Sequence, residues 1–190
     1  VVTTGSDVHV FFLDARRRWR LRRDHVVVPP QGKIYSVNEA NVSRWEPELR
    51  QWLESCKEAG YTQRYVGSMV ADVHRTLLKG GVFLYPADRS APEGKLRLLY
   101  EAAPMAMIFE AAGGFASDGA RRLLEVEAAS IHQRTPVVLG GAWRSWASSG
   151  RCAPAAPGTS SRPPGEGACP ASSRWAGGVS TDTWSCPPEG

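Results

Sequence analysis

A chain of 190 residues, 42% hydrophobic and 22% charged, is long enough to bury one core of domain size, and its composition is ordinary for a globular protein. Much of the excess behind its net charge of +4 sits in one run, Arg16, Arg17, Arg18, Arg20, Arg22 and Arg23. That run reads as a solvated face, because only Trp19 offers nucleic acid an aromatic to stack on. No run approaches the length of a membrane span, and Val1 to Val10 lacks the basic head and apolar core of a signal peptide. The expectation is a soluble intracellular protein, cytoplasmic, with neither nucleic-acid nor membrane partner and with residues missing upstream of Val1. Cys56, Cys152, Cys169 and Cys186 include no C-x-x-C pair, so cysteine implies no metal, and disulfides are not expected.

His9 to Leu13, Trp19 to Leu21 and Val26 to Val28 are short apolar and β-favouring runs divided by a turn at 14–18 and closed by Pro29-Pro30. They predict a hairpin feeding a third strand. From Ser43 the period changes: Trp45, Leu49, Trp52, Leu53 and Cys56 recur at helical spacing, with Ser43 and Glu46 as a capping box and Gly60 as the stop. A second helix is predicted over Ser68 to Leu78, ended by Gly80-Gly81. Val82 to Tyr85 is a buried strand closed by Pro86, Leu98 to Ala112 has helical composition, and Leu123 to Val126 and Val137 to Leu139 are strands. Alternating strands and helices predict an α/β layered fold. From Ser148 to Gly190 the chain is dominated by Ser, Gly, Pro and Ala without apolar period, which predicts disorder.

Several segments carry candidate chemistry. Lys33 to Glu39 is a strand running into polar residues, where Asn38 either faces a ligand or caps a turn. Arg64 and Tyr65 come just before a helix start, whose unpaired N–H groups favour an anion. Lys95 and Arg97 alternate along a strand, so both can present donors to one phosphate. Glu101 opens an apolar stretch, where a carboxylate binds a cation, finds another partner or complements a helix dipole.

The runs Lys33-Ile34-Tyr35-Ser36-Val37-Asn38-Glu39 and Arg64-Tyr65-Val66-Gly67-Ser68-Met69-Val70-Ala71-Asp72-Val73-His74-Arg75-Thr76-Leu77 closely resemble fructose-1,6-bisphosphatase. So do Phe83-Leu84-Tyr85-Pro86, Gly94-Lys95-Leu96-Arg97-Leu98-Leu99-Tyr100-Glu101 and Ile131-His132-Gln133-Arg134, all in family order. The resemblance covers residues 1–141, as a carboxy-terminal domain, and does not extend to 142–190.

It implies the carboxy-terminal half of a layered sugar-phosphatase fold, a mixed sheet flanked by helices. The activity implied is magnesium-dependent hydrolysis of the 1-phosphate of fructose 1,6-bisphosphate, in gluconeogenesis or the photosynthetic carbon cycle, by a homo-oligomer in the cytoplasm or a plastid. By the same resemblance the 6-phosphate is held by Asn38, Tyr65, Tyr85 and Lys95, Arg64 reaches into a neighbouring subunit's site, Ser68 and Met69 touch the sugar through their backbone, and Glu101 is a metal ligand. Asn41 stands where the family has a further phosphate-binding tyrosine, and the family's Asp-Pro-x-Asp-Gly-Ser-Ser metal motif is absent. The chain alone is therefore expected to be inactive, as a truncated gene model whose tail arises from read-through or a shifted frame. Alternatives are a sedoheptulose-1,7-bisphosphatase, an inositol-phosphate phosphatase, or a non-catalytic protein that binds sugar phosphate or joins intact subunits.

Overall fold

The computed structural model describes residues 1–30 and 32–141; the expected tail at 142–190 lies outside the described residues. In chain order, strands β1 (Val2–Thr3), β2 (Val8–Leu13), β3 (Trp19–Arg23) and β4 (Ile34–Ser36) lead through a 3-10 helix, Glu39–Arg44, to helix α1 (Pro47–Glu58). Strand β5 (Thr62–Gln63), helix α2 (Met69–Lys79) and strands β6 (Val82–Tyr85) and β7 (Leu96–Arg97) follow. A π-helical turn at Leu98–Ala102 runs into α3 (Ala103–Ala111), and then come β8 (Phe115–Ser117), a 3-10 turn at Leu123–Glu125, β9 (Arg134–Thr135) and β10 (Val137–Gly140).

The layers follow from alternation along the central strands. A mixed sheet has the order β5-β4-β6-β10-β8, with β4 parallel to both its neighbours and β10 antiparallel to both of its own. Val82, Leu84 and Val138 pack on one face with Trp45 and with Leu49, Trp52 and Leu53 of α1. Phe83, Val137 and Leu139 belong to the other face, with Val73 and Leu77 of α2 and Phe109 of α3. Helices thus cover both faces, as the alternation of elements predicts. A glycine makes the closest approach possible: Gly81 has φ +93°, and a Cβ there would lie 2.1 Å from the carbonyl oxygen of Ile34. Only glycine lets the chain leave α2 and lay β6 directly against β4.

Three expectations are corrected. The capping box at Ser43 does not form, because Pro47 occupies the first turn of α1 and holds Glu46 extended at ψ 151°, so the helix starts after Glu46. Val26 to Val28 is not a strand: the N–H of Val26 goes to the carbonyl of Val8 and that of Val28 to Ala112, two unrelated partners that build no ladder. Leu123 to Val126 is not a strand either; its 3-10 turn buries Leu123 alone, and the edge of the sheet is formed by β8.

The three-stranded sheet β1-β2-β3 carries a surface cluster of three ion pairs, His9 with Asp24 at 2.6 Å and His25 with Asp7 at 2.9 Å and with Asp24 at 3.8 Å. The hydrogen bond His25 makes to Asp7, and then the charges of Asp24 and Asp7, raise the pKa of His25 above 6.5. The hydrogen bond from His25 lowers that of Asp7, against a smaller opposing effect of burial. A raised histidine pKa stabilises the fold at low pH and loses that contribution as pH rises through the folded value; a lowered Asp pKa stabilises it above the unfolded value and is lost as pH falls. The pair therefore contributes most between the two titrations. Proton NMR of His25 should give a midpoint above 6.5 that falls in Asp7→Asn; an unchanged midpoint would remove Asp7 as its cause.

Candidate functional site

The three parallel strands β5, β4 and β6 bring the candidate residues to one end of the sheet. Arg64 and Tyr65 follow β5, Val37 and Asn38 follow β4, and Tyr85 closes β6. From β4 the chain passes through α1 to β5 on one side, and then through α2 to β6 on the other. α1 and α2 pack on opposite faces. A crevice outside the carboxyl ends of strands at such a reversal is where open α/β sheets place ligands.

A shallow, open hollow lies there. Trp45 and Leu84 contribute apolar wall, and Asn38, Asn41, Tyr85, Asp88 and Lys95 contribute polar groups. Asn38 caps the 3-10 helix, its Oδ1 accepting from the N–H of Ala40 at 3.2 Å, so its NH₂ is the end left to donate to a ligand. The turn-capping and ligand-facing readings of this residue are compatible. Asn41, which stands where the resemblance expects a phenol, lines the same hollow.

Lys95 projects its ammonium to the carboxylate of Asp88 at 2.7 Å. Gly94 sets this up: with φ +80°, it lies so close to Thr135 that a Cβ would come within 2.3 Å of that residue's carbonyl carbon. Arg97 does not join Lys95. Its guanidinium folds back to the Lys95 carbonyl at 3.2 Å, so the expected pair of phosphate donors reduces to one.

The segment before α2 departs from expectation in an informative way. Its N–H groups do attract an anion, but the anion is internal: the fully buried Asp72 accepts from Val66 at 3.0 Å and from Gly67 at 3.1 Å. Arg75 completes the arrangement, donating to Asp72, to the carbonyl of Arg64 and to Ser36 Oγ of β4. Tyr65 is held half-buried by this loop, and burial raises its phenol pKa, with smaller contributions from Tyr85 and Asp72. Tyr65 does not line the hollow itself; Tyr85, which does, is one of the neighbours that raise its pKa. Arg64 is exposed and bonds the carbonyl of Gln63 at 2.8 Å. Ser68 precedes α2 without a side-chain capping bond, and Met69 packs against the core.

Glu101 lies in the π-helical turn, a kind of helical defect frequent at functional sites. One of its oxygens accepts from the N–H of Arg97 at 2.6 Å. Among the described residues no three His, Cys, Asp or Glu side chains are grouped to hold a metal ion. A single committed carboxylate does not fit magnesium, which needs several oxygen ligands in near-octahedral geometry.

The structure thus brings Asn38, Tyr85 and Lys95 to one hollow with Tyr65 near it, and leaves Arg64, Ser68, Met69 and Glu101 outside its lining. Reading the sequence alone missed Asp72, Arg75 and Asp88. The signal for Asp72 was present: an acid on the buried stripe of a helix, beside Val73 and Thr76, requires a partner.

Residues 28–145 match the family model described as fructose-1-6-bisphosphatase, C-terminal domain. The class 1 fructose-1,6-bisphosphatase of Persephonella marina is 54% identical over 142 residues, covering 74% of this chain and 44% of the relative. That of Sulfurihydrogenibium sp. is 52% identical over 143 residues, with the same coverage of each. The crystal structure of Leishmania major fructose-1,6-bisphosphatase in apo form matches with a TM-score of 0.73 and 48% identity, covering 75% of this chain and 47% of that one. The chain spans less than half the length of the curated relatives it matches. Among the described residues no helix is long and apolar enough to cross a membrane.

Proposed function

Because the chain belongs to the fructose-1,6-bisphosphatase family, we propose that it carries the sugar-phosphate-binding part of that enzyme's site and seats the 6-phosphate of fructose 1,6-bisphosphate in the hollow at the ends of β4 and β6. The observation that carries this reading is the convergence of Asn38, Tyr85 and Lys95, from three separate stretches of chain, on one concavity. A phosphate there takes a charge-assisted bond from Lys95 and neutral donors from the Asn38 amide and the Tyr85 phenol, with Tyr65 beside them. Exposed Arg64 is available to a second copy of the chain, so a homo-oligomer completes its role, and the backbone at Ser68 and Met69 supports the sugar.

In the whole enzyme the reaction is hydrolysis of the 1-phosphate to fructose 6-phosphate and phosphate, with metal carboxylates joining Glu101. Among the described residues no three His, Cys, Asp or Glu side chains are grouped to hold a metal ion, which favours a second reading in which this chain by itself binds sugar phosphate without turnover. Sedoheptulose 1,7-bisphosphate is the competing substrate, and the cytoplasm the assigned compartment, with a plastid as the alternative.

Calorimetry with fructose 6-phosphate tests the reading. Binding of similar affinity with and without magnesium is expected, together with no phosphate release from fructose 1,6-bisphosphate. Binding that requires magnesium would overturn it.

A further inference from the structure

The hollow holds a negative charge that the reading above leaves unused. Asp88 has a side chain only 2% exposed and lines the same wall as Lys95. Its Oδ1 accepts from the N–H of Ser90 at 2.8 Å, the Ser90 hydroxyl at 2.5 Å and the N–H of Ala91 at 3.0 Å. Its Oδ2 takes the Lys95 ammonium at 2.7 Å. These bonds leave the carboxylate no freedom to withdraw. Burial alone would raise its pKa, but Lys95 and the Ser90 donors outweigh burial and bring it down to about 2, so the charge persists at any working pH.

Resting on the assignment of the hollow to a phosphate, we propose that Asp88 is an affinity-limiting counter-charge: it competes with the bound phosphate for the Lys95 ammonium and repels the phosphate through space. Among the described residues nothing else cationic lines the hollow, so Lys95 and Asp88 together give that lining no net charge. Asp88 has a second effect, because it orders the lysine and lowers the entropy cost of gripping a ligand. That benefit is bounded by the rotamer freedom of one side chain. Repulsion between a carboxylate and a phosphate dianion on the same small wall is larger, since two ligand charges act over a few ångströms at an effective dielectric well below that of water. The competition wins, and the site trades affinity for release of its sugar phosphate.

The test compares the unaltered chain, Asp88→Asn and Lys95→Met by calorimetry with fructose 6-phosphate and with inorganic phosphate at low ionic strength. The asparagine keeps the shape and an acceptor for the Ser90 and Ala91 N–H groups while removing the charge. Asp88→Asn is expected to bind both probes about tenfold more tightly, with a steeper loss of affinity on adding salt. Lys95→Met is expected to bind about tenfold or more weakly. If Lys95→Met weakens binding while Asp88→Asn leaves it unchanged or weaker, the counter-charge role is overturned and the phosphate assignment stands. If Lys95→Met binds as the unaltered chain does, or if neither the unaltered chain nor Asp88→Asn binds, both are overturned. Should Asp88→Asn lose its cooperative melting transition, Asp88→Ser, whose hydroxyl can serve as the turn's acceptor, carries the same expectations.

Discussion

Asp72→Ala is expected to lower the unfolding free energy by about 3–5 kcal/mol, the cost of stripping one partner from a buried ion pair. Asp72 is inaccessible to solvent and its partner Arg75 is 22% exposed, so little screening reduces the effect. The substitution takes an acceptor from three donors at once: the Arg75 guanidinium and the N–H groups of Val66 and Gly67. The methyl group that replaces the carboxylate can satisfy none of them. Arg75 keeps Ser36 Oγ and the Arg64 carbonyl, both neutral acceptors, which cannot balance its charge. Urea unfolding provides the check, through a lower midpoint at unchanged slope. A loss below about 1 kcal/mol would place the pair with weak surface salt bridges. The loop holding Arg64 and Tyr65 would loosen in the same variant, since Asp72 and Arg75 hold it by four bonds.

Trp45→Ala should cost a comparable amount, about 3–5 kcal/mol, and should also damage the hollow. Trp45 is 2% exposed, sits among Val37, Leu49, Trp52 and Leu84, and forms part of the wall of the hollow. Removing its indole leaves a void bordered by the segment that carries Asn38 and Asn41. Denaturant unfolding measures the stability loss, and calorimetry with fructose 6-phosphate below the melting transition measures the damage to the site. Trp45→Phe should recover most of the stability. A fully stable alanine variant would show that the core around α1 can collapse onto the gap.

Elements whose cause is local were legible in the sequence. Val82 to Tyr85 is apolar throughout because both faces of β6 are covered, and Gly80-Gly81 and Pro86 mark its limits. The stripe on α2 announced a helix of the right extent. Pro47 was equally plain, and reading past it produced the misplaced start of α1. The strands β5 and β9 were not legible, because two residues carry no period and become strands only through the neighbours they meet. The candidate site divides similarly. Motifs matching a known family pointed to Asn38, Tyr85 and Lys95, which do share a hollow. No local pattern could show that Asp88 sits against Lys95, seven residues on, or that Asp72 fills the anion position before its own helix. Both facts belong to the folded arrangement.

The place of β10 governs how the protein emerges during synthesis. This strand lies between β6 and β8 and buries all four of its residues, yet it is the last of the described strands in the chain. Until residue 140 has cleared the ribosome, β6 has one unpaired, apolar edge and β8 has no partner in its sheet. A nascent chain with an open edge can pair with a stranger, and slow decoding or chaperone delay over 118–136 prolongs that exposure. Closure of the sheet therefore waits on the last of its described strands, and the hollow gains a firm foundation only after it.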